Sequence, residues 1–482
     1  MEQSALSRLI VVSNRVSPPH AGEGAPSQGG LAMAIAAALR EYSGLWFGWS
    51  GQSTPTHTGE VSTQRVGGIT VVTTDLEEQD IQEYYNGYAN RTLWPLFHYR
   101  IDLAQFERTY SSGYARVNAL FADMLTPLIE PDDIVWVQDY HLIPLGRELR
   151  ARGVRNAIGF FLHIPWPARE LMLTLPRSRQ LVEAMFHYDV LGFQTEEWRN
   201  AFNAYVLNEA GGMQLSDGRV RAFGRTAWPR AFPIGIDAKG FAALTRSEAG
   251  VESHERMLES KAGRRMLLGV DRLDYSKGLE ERMLAYERLL TESPEVKREV
   301  FLLQISTPTR GDVEAYQDME ARLDALSGRI NGANAEMDWI PIRNVHRLHT
   351  REELAGVYRA ADVALVTPLR DGMNLVAKEF VAAQDEANPG VLVLSRFAGA
   401  AAQMGQALIV NPFSQEDVAD ATRKALAMPL AERRHRWRTL MEGVERDDIA
   451  AWRDGFVAAL EEAQETLRNP PRPRIAAGSG KG

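Results

Sequence analysis

Cysteine is absent from the 482-residue chain. The protein therefore has no disulfide, no thiolate metal site and no cysteine nucleophile, and this composition fits a reducing compartment. No apolar run reaches the ~18 residues that a membrane span needs. The N-terminal MEQSALSRLIVVSNR lacks a basic segment followed by a cleavable apolar one. The sequence predicts a cytoplasmic protein with no membrane association.

The chain also lacks a net positive charge and the common metal-binding motifs. The formal net charge is −9, which disfavours a broad nucleic-acid surface. The chain has no D-x-D, H-E-x-x-H, G-x-S-x-G or Walker motif. His346 and His349 are spaced i, i+3, but no third ligand is apparent. We therefore expect neither a metal nor another cofactor.

The main feature of the sequence is a series of apolar runs in which polar and apolar residues do not alternate. They alternate with helical patterns and restart in the second half, as expected for strands covered by helices on both faces. Single cores rarely exceed about 300 residues, so the sequence predicts two doubly wound α/β domains. The predicted strands are 8–12, 134–138, 157–165, 189–195, 231–237, 264–270, 299–306, 361–366, 390–395 and 407–412.

The polar helical stretch after residue 237 predicts a crossing between domains. We expect a first domain over 1–237 and a second over 238–450. A helix over 451–468 is expected to pack back towards the first domain. The Pro/Gly-rich tail 469–482 is expected to be disordered.

The stretch TPLRDGMNLVAKEFVAAQ (367–384) follows a predicted buried strand. Asp371-Gly372 is a turn signal, and Asn374 is a suitable N-cap for the helix that follows. A helix start offers free N–H groups that attract phosphate, and the carboxylate of Glu379 can accept hydroxyls of a ribose or another sugar. The alternative is an ordinary strand–helix connection.

Charged or unusual residues follow several predicted strands of both halves. In open α/β sheets, ligands bind beyond the carboxyl ends of strands. These residues therefore predict a cleft between two domains. They are Arg15, Asp139, His163, Arg272, Arg310 and Asp371.

The residue types in this cleft suit a sugar nucleotide. Arg272 and Lys277 suit a departing diphosphate, although two solvated loop charges are the alternative. Gly29-Gly30 lets backbone approach a ligand, but it is a weak dinucleotide signal. Aromatic residues from Tyr85 to Trp94 suit a sugar, although such stretches are more often core. His163 could donate a hydrogen bond to a sugar hydroxyl.

Long blocks of the sequence resemble one enzyme family. They are SNR (13–15), GLWFGWSG (44–51), EYYNGYANRTLWPLFHYR (83–100), DYHL (139–142), FFLHIPWP (160–167), GFQT (192–195), RLDYSKGL (272–279), TRGDVEAYQ (309–317), GRING (328–332) and LRDGMNLVAKEF (369–380). From about residue 8 to 465 the chain resembles the retaining trehalose-6-phosphate synthases, glycosyltransferases of family 20. The resemblance implies a GT-B fold, in which two Rossmann-like domains face an interdomain cleft.

The resemblance also implies a reaction. Glucose would pass from UDP-glucose to glucose 6-phosphate, giving α,α-trehalose 6-phosphate and UDP. The acceptor would attack from the face that the diphosphate leaves, and a phosphate oxygen would take its proton. The first domain would bind the acceptor and the second the nucleotide sugar. The enzyme would need no metal and would form a homo-oligomer, a dimer or a tetramer.

Residue roles follow from the matching positions. The implied catalytic residues are Arg272, Lys277, His163, Asp139 and Asp371. The implied glucose 6-phosphate site is Arg15, Tyr85, Trp94, Asp139 and Arg310. The implied UDP-glucose site is Gly29, Gly30, His163, Arg272, Lys277, His349, Asp371, Gly372, Met373, Asn374, Leu375, Val376, Ala377, Lys378 and Glu379. Trp94 and His163 would also select the α-anomer of the acceptor.

The chain departs from the family pattern at a few positions. Segment 17–30 is longer and richer in Gly and Pro than the family's short versions, and Gln138 and Trp166 stand where His and Phe are common. His349 matches an often aromatic position near the base, which leaves ADP- or GDP-glucose open as donor. Three further hypotheses stay open: glycerol 3-phosphate as acceptor, a pseudo-glycosyltransferase acting on a cyclitol, and a silent sugar-nucleotide sensor.

Overall fold

The computed structural model describes residues 7–16, 35, 39, 44–308 and 314–469. Its strands form two sheets. The first contains β1 Leu9–Arg15, β2 Leu45–Thr54, β3 Ser62–Val66, β4 Ile69–Glu77, β5 Ile134–Gln138, β6 Ile158–Leu162, β7 Val190–Phe193, β8 Met213–Gln214, β9 Val220–Ala222 and β10 Arg225–Ala231. The second contains β11 Arg265–Arg272, β12 Val300–Thr307, β13 Ile342–Val345, β14 Val363–Val366, β15 Val391–Ser395 and β16 Leu408–Val410.

Helices connect these strands. The helical segments are Glu78–Asp80, Ile81–Leu93 (a π-helix), Trp94–Phe97, Arg108–Leu125, Leu145–Ala151, Arg169–Met172, Ser178–Met185, Glu196–Glu209, Ala238–Leu244, Glu248–Lys261, Leu279–Glu292, Glu314–Asn334, Arg351–Ala360, Leu375–Ala383, Gln415–Ala427, Leu430–Arg446 and Ile449–Arg468. Short 3₁₀ turns are Ile101–Leu103, Thr126–Leu128, Tyr140–Leu142, Tyr275–Lys277, Pro294–Val296 and Gly399–Ala402.

Both sheets have the strand order of a Rossmann fold. The second sheet is parallel and runs β13-β12-β11-β14-β15-β16, which is 3-2-1-4-5-6 in chain order. The parallel part of the first sheet runs β4-β2-β1-β5-β6-β7-β10, and antiparallel strands extend its two edges. The predicted fold class, two doubly wound α/β sheets, is confirmed.

Strands β1, β5, β6, β14 and β15 are buried along most or all of their length. Their continuous Val, Ile, Leu and Phe runs are covered by helices on both faces, which is why they show no alternation. Two large clusters of buried side chains fill the layers between the sheets and their helices. These layers fix where each strand ends, and hence where the polar loops emerge.

One strand prediction was wrong. The predicted strand 231–237 is not a strand beyond Ala231, because β10 ends there and residues 232–237 have no regular structure. Pro233 offers no N–H for a ladder. The carbonyl of Ile234 instead accepts a hydrogen bond from Lys378 Nζ at 2.7 Å, so this apolar run packs against the second half.

The helix Ile449–Arg468 contacts the first sheet. Trp136 of β5 stacks on Phe456, with ring centroids 4.6 Å apart and planes at 12°. Gly159 of β6 makes room for this ring, since a Cβ there would lie 2.7 Å from it. The end of the chain thus completes the core of the first half. The domain boundaries given above stay a prediction, and the tail from 470 lies outside the described residues.

Candidate active site

Four of the predicted residues lie at the two places where strand order reverses. In the first sheet the reversal lies between β1 and β5, and in the second between β11 and β14. Arg15 ends β1 and Asp139 follows β5, whereas Arg272 ends β11 and Asp371 follows β14. Doubly wound sheets bind ligands in the crevice at these reversals. Each half therefore brings two of the predicted residues to its own ligand-binding crevice.

Asp139 has an unusual backbone conformation. Its φ of 73° and ψ of 168° lie in a region nearly restricted to glycine, which costs about 1–3 kcal/mol. Its N–H donates to Phe161 O at 2.7 Å, and its Oδ1 accepts from the N–H of His163 at 3.1 Å. These bonds tie the strained turn to the end of β6. Such strain concentrates at functional sites.

A chain of ring contacts connects the two reversal points. Its members are Trp49, Tyr85, His141, Tyr140 and Trp94, with successive ring centroids 5.6, 5.9, 3.9 and 5.7 Å apart. At one end the Arg15 guanidinium lies 5.9 Å from the Trp49 ring. At the other end the Arg272 guanidinium lies 5.7 Å from the Trp94 ring. Trp49, Tyr140 and Trp94 are buried. Tyr85 and His141 are partly exposed, and their aromatic faces are suited to a sugar.

Tyr85 lies on a π-helix, Ile81–Leu93, and Trp94 closes it. The N–H of Trp94 donates to Ala89 O, five residues earlier. π-helices are rare, usually span one turn, and occur frequently at functional sites. A 13-residue example therefore marks this segment as unusual. Its wider turns set the direction in which Tyr85 and Trp94 leave the backbone.

Lys277 and Asp371 form an ion pair in the second half. Lys277 Nζ lies 2.5 Å from Asp371 Oδ2, which also accepts from Asn374 Nδ2 at 3.2 Å. Burial alone would raise the pKa of Asp371, but Lys277, with smaller contributions from His98 and Arg272, lowers it below its usual value. Asp371 is therefore a carboxylate at neutral pH. Arg272 is exposed beside it.

A buried network supports this loop. Arg282 donates to Asp271 Oδ2 at 2.6 Å, to Gln304 Oε1 at 2.9 Å and to Thr367 Oγ1 at 3.0 Å. Burial raises the pKa of Asp271, and Arg282 opposes the rise. These bonds join β11, β12 and the loop after β14 just below Arg272. They hold the second reversal point rigid.

The helix Leu375–Ala383 begins without a side-chain cap. Asn374 occupies the N-cap position, but its φ is 77° and its side chain makes no cap hydrogen bond. The predicted N-cap position is confirmed, but the Asn374 amide donates to Asp371 rather than capping the helix. The first-turn N–H groups, including those of Leu375 and Val376, have no partner within a helix. They remain suited to a phosphate.

Gly372 brings this loop against the first half. A Cβ at position 372 would lie 1.9 Å from the carbonyl oxygen of His163. Only glycine permits so close an approach. The strand ends that carry His163 and Asp371 therefore meet directly across the gap between the halves.

Glu379 lies on the same helix and is partly buried. Its Oε1 lies 3.8 Å from Arg351. Burial raises the pKa of Glu379 to about 7, although Arg351 opposes the rise. Because Arg351 does not hydrogen-bond closely to this carboxylate, the Glu379 oxygens can accept hydrogen bonds from hydroxyl groups. Near it, His349 Nδ1 lies 3.4 Å from Glu353 Oε2, and burial lowers the pKa of His349.

The remaining residues of this segment face inward. Met373 and Ala377 are buried in the core. Lys378 Nζ donates to Ile234 O at 2.7 Å and to Gln403 Oε1 at 2.8 Å, and burial lowers the pKa of this amine to about 8. The Lys378 side chain thus joins the two halves rather than lining the crevice. Any ligand contact from these three residues would come from the backbone.

Both ring nitrogens of His163 contact glutamines. Nε2 lies 2.8 Å from Gln138 Oε1, and Nδ1 lies 3.4 Å from Gln194 Nε2. Burial lowers the pKa of His163 to about 3, so the imidazole is neutral. The predicted hydrogen bond to a sugar hydroxyl would have to displace one of these contacts.

Sequence reasoning missed some residues of this region. His98 is buried with Nδ1 2.7 Å from Trp94 O, and burial lowers its pKa to about 4 against the opposing charges of Asp274 and Asp371. His98 lies within the aromatic block 83–100 that was predicted to contact a sugar, but nothing in the sequence distinguishes it from the other residues of that block. Gly29, Gly30 and Arg310 lie outside the described residues.

Comparison with known proteins agrees with this geometry. Glycosyltransferase family 20 matches residues 7–462. The chain belongs to this family. A relative named trehalose-6-phosphate synthase, from Sinorhizobium fredii (strain NBRC 101917 / NGR234), is 45% identical over 462 residues, which cover 95% of this chain and 99% of the relative. The family resemblance seen in the sequence is confirmed.

Solved structures show the same architecture. A UDP-forming α,α-trehalose-phosphate synthase from Burkholderia xenovorans in complex with glucose 6-phosphate is 48% identical, with a TM-score of 0.89 over 94% of this chain and 100% of that one. An Escherichia coli structure bound with UDP-2-fluoro glucose is 46% identical, with a TM-score of 0.90 over 95% of this chain and 99% of that one. The GT-B prediction is therefore confirmed.

The described residues include neither a metal cluster nor a membrane-spanning helix. Within the described ranges, no group of three or more His, Asp or Glu side chains is arranged to hold a metal ion. In the same part of the chain, no helix combines the length and apolar character needed to cross a bilayer.

Proposed function

We propose that the protein transfers glucose from UDP-glucose to glucose 6-phosphate with retention of configuration, giving α,α-trehalose 6-phosphate and UDP. One observation carries this proposal. The two points where strand order reverses face one cleft, and the ring contacts from Trp49 to Trp94 connect them. The Sinorhizobium relative is named trehalose-6-phosphate synthase, and the two solved structures described above hold glucose 6-phosphate or UDP-2-fluoro glucose.

The second half binds the donor in this proposal. Arg272 and Lys277 stabilise the charge that develops on the departing diphosphate. The first-turn N–H groups of Leu375 and Val376 bind the same diphosphate. Glu379 accepts the ribose hydroxyls, which its weak pairing with Arg351 permits. Asp371 contacts the transferred glucose and keeps Lys277 in place through the 2.5 Å ion pair.

The first half binds the acceptor. Arg15, together with Arg310, binds the 6-phosphate, and Asp139 accepts hydroxyls of the sugar ring. Tyr85 and Trp94 supply the aromatic surface, and Trp94 with His163 selects the α-anomer. The strained turn at Asp139 supports this role, since strain of this kind occurs where a side chain must be held in one position.

Chemically, the protein acts by position and charge. The anomeric oxygen of the acceptor forms a bond to C1 of the donor glucose while the bond from C1 to the diphosphate breaks. The acceptor attacks from the face that the diphosphate leaves, which preserves configuration, and its proton passes to a diphosphate oxygen on that face. Asp371 and Asp139 are held by hydrogen bonds, and neither needs to act as a nucleophile. Closure of the cleft keeps water from C1.

The competing hypotheses differ in what they require of the site. Glycerol 3-phosphate would need a phosphate site but not the ring surface of Tyr85 and Trp94. A sensor would need one ligand site rather than two crevices. ADP- or GDP-glucose would use the same diphosphate and ribose contacts as UDP-glucose. We also propose, as untested predictions, a cytoplasmic location, a homo-oligomer and catalysis without a metal.

A substrate panel tests the proposal directly. The protein is incubated with UDP-, ADP- and GDP-glucose against glucose 6-phosphate and glycerol 3-phosphate, with and without EDTA. The product is identified by mass and by its anomeric NMR couplings. We expect trehalose 6-phosphate from UDP-glucose, with two α couplings and no loss in EDTA. A product from glycerol 3-phosphate alone, or none with any pair, would overturn it.

A further inference from the structure

Arg370, immediately before Asp371, reaches out of its own half into a box of aromatic rings. Its Cζ lies 3.6 Å from the ring centroid of Tyr99, 5.0 Å from that of Trp198 and 5.5 Å from that of Phe397. Tyr99 and Trp198 belong to the half built on the first sheet, whereas Phe397 belongs to the second. The guanidinium thus bridges the two halves one residue away from the proposed site.

Aromatic faces, rather than carboxylates, surround this cation. Among the described residues, no carboxylate forms an ion pair with Arg370, and its buried Nη1 has no hydrogen-bond partner. Burial lowers the pKa of Arg370, and nearby Tyr99 and Glu197 offset part of the effect. A planar guanidinium stacks on rings and is weakly hydrated, which suits it to such a box. The contact is available only while the halves lie together.

Both sides of the box connect to proposed site residues. The Tyr99 hydroxyl accepts from the N–H of Ala168 at 2.9 Å, in the segment that follows His163. The N–H of Asp371 donates to Phe397 O at 3.1 Å. A shift of Arg370 against Tyr99 would therefore move Asp371 relative to His163.

Neighbouring contacts repeat the pattern. The Arg272 guanidinium faces the Trp94 ring at 5.7 Å, and the Arg100 guanidinium faces the Tyr275 ring at 5.4 Å. Segment 94–100 of the first half is thus one of the surfaces that contact the second half. Arg370 makes the shortest of these contacts and is the one nearest in sequence to Asp371.

We propose that Arg370 is a positioning residue, which holds the cleft closed by stacking on Tyr99 and Trp198 and so places Asp371 and Lys277 against the transferred glucose. The inference rests on the proposed function. Without the stack, the halves separate more readily, the reacting atoms lose alignment and water reaches C1. Arg370 therefore governs the partition of UDP-glucose between transfer to the acceptor and hydrolysis to glucose and UDP.

Three variants test this role. Arg370→Met removes the charged guanidinium but keeps an unbranched, largely apolar stem. Arg370→Lys keeps a cation that binds aromatic faces without planar stacking. Arg179→Ala is the matched control, because Arg179 lies 4.9 Å from the Phe223 ring and both residues belong to the first half. Each is assayed for kcat and KM of transfer, for glucose released from UDP-glucose without acceptor, and for radius of gyration with UDP and glucose 6-phosphate bound.

We expect kcat of transfer to fall by about 100-fold in Arg370→Met, with the KM for UDP-glucose nearly unchanged. Arg370→Lys should lie between Met and wild type. The ratio of hydrolysis to transfer should rise at least about tenfold in Arg370→Met, and its ligand-bound form should stay expanded. Arg179→Ala should match wild type.

The inference is overturned if Arg370→Met keeps the wild-type kcat and hydrolysis ratio, or if its whole loss lies in the KM for UDP-glucose. It is also overturned if Arg370→Met compacts with ligands as wild type does. If Arg370→Met does not fold, the same three readouts on Arg370→Lys decide. Failure of the proposed function looks different, since wild type would then form no trehalose 6-phosphate.

Discussion

The stability of the fold gives little reason for an arginine at position 272. Arg272 is exposed at the end of β11 and contacts the Trp94 ring of the other half at 5.7 Å. Exposed cation–π contacts contribute about 0.5–1 kcal/mol, so the fold has little need of it. Lys277, by contrast, is tied to Asp371, and its removal would leave a buried carboxylate unpaired. A substitution of Arg272 therefore tests catalysis with less effect on folding than a substitution of Lys277.

We predict that Arg272→Ala lowers kcat by about 100- to 1,000-fold, the usual effect of removing one group that stabilises developing charge. The unfolding midpoint should barely move. Arg265→Ala is the matched control, since Arg265 begins the same strand at its opposite end. Steady-state kinetics and thermal unfolding of both variants provide the measurement. Wild-type turnover in Arg272→Ala would refute its leaving-group role.

The raised pKa of Glu379 predicts that binding of UDP-glucose depends on pH. Burial raises its pKa to about 7, so the ionised fraction falls from about nine-tenths at pH 8 to about one-tenth at pH 6. The carboxylate accepts hydroxyls best when ionised. The KM for UDP-glucose should therefore rise about tenfold between pH 8 and pH 6. Initial-rate measurements at saturating glucose 6-phosphate give this profile.

Glu379→Gln is the control, because it removes the titration. Its KM for UDP-glucose should be higher and flat across the same range. The folded-state pKa lies above the unfolded value of 4.5, so ionisation destabilises the free protein progressively from about pH 4.5 to pH 7. Glu379→Gln should therefore unfold at a higher temperature than wild type at pH 8. Equal pH profiles in the two proteins would contradict the assignment.

Which residues lie near the cleft was predictable from the sequence, but their contacts were not. Arg15, Asp139, Arg272 and Asp371 could be placed because polar residues after apolar runs mark strand ends. The partner of Lys378 is Ile234, 144 residues away. No local pattern contains such a pairing. The position of Asn374 as N-cap was predictable, but the bond from its side chain to Asp371 was not.

At the scale of elements, buried parallel strands were predictable because their apolar runs are continuous. The strands β2, β3 and β4 were not; β2, for example, has the sequence LWFGWSGQST, which mixes aromatic, glycine and polar residues. The run 231–237 resembles a strand in sequence because burial at an interface and burial in a sheet leave the same apolar signature. The π-helix has no comparable sequence pattern, although it carries Tyr85.

We predict that Gly87→Ala disturbs the π-helix and the acceptor site together. A Cβ at Gly87 would lie 2.5 Å from Tyr110 Cδ1 and 2.9 Å from Gln82 O. Overpacking of this kind costs about 1–3 kcal/mol. The backbone oxygen cannot yield without shifting the helix that carries Tyr85. Denaturant unfolding should show the loss, and the KM for glucose 6-phosphate should rise more than that for UDP-glucose.

Gly328→Ala is the control for Gly87→Ala, because at position 328 there is space for a Cβ. Gly328 lies within the helix Glu314–Asn334, and a Cβ there meets nothing within 4 Å. The substitution should stabilise the protein by about 0.5–1 kcal/mol without changing either KM. If Gly87→Ala behaved in the same way, the close packing of the π-helix against Tyr110 would be disproved.

At the scale of the whole molecule, the two halves are joined by contacts outside the proposed site. Ile449 donates its N–H to Ile236 O at 3.2 Å, where the last helix begins beside the connection between the halves. Lys378 bonds to Ile234 in the same connection. The Trp452 ring lies 6.0 Å from the His163 ring. The final helix therefore joins the core of the first half to the edge of the proposed site.

Phe456 provides the test of this coupling. It is fully buried, stacks on Trp136 and lies over Gly159. Phe456→Ala should lower the free energy of unfolding by about 3–5 kcal/mol, the range for buried phenylalanines. Phe413→Ala is the control, since Phe413 is 64% exposed and its loss should cost little. Denaturant unfolding monitored by tryptophan fluorescence measures both. A small effect of Phe456→Ala would mean that the first half folds without the helix Ile449–Arg468, whereas the predicted loss would show that residues at the end of the chain complete the core begun at Leu9.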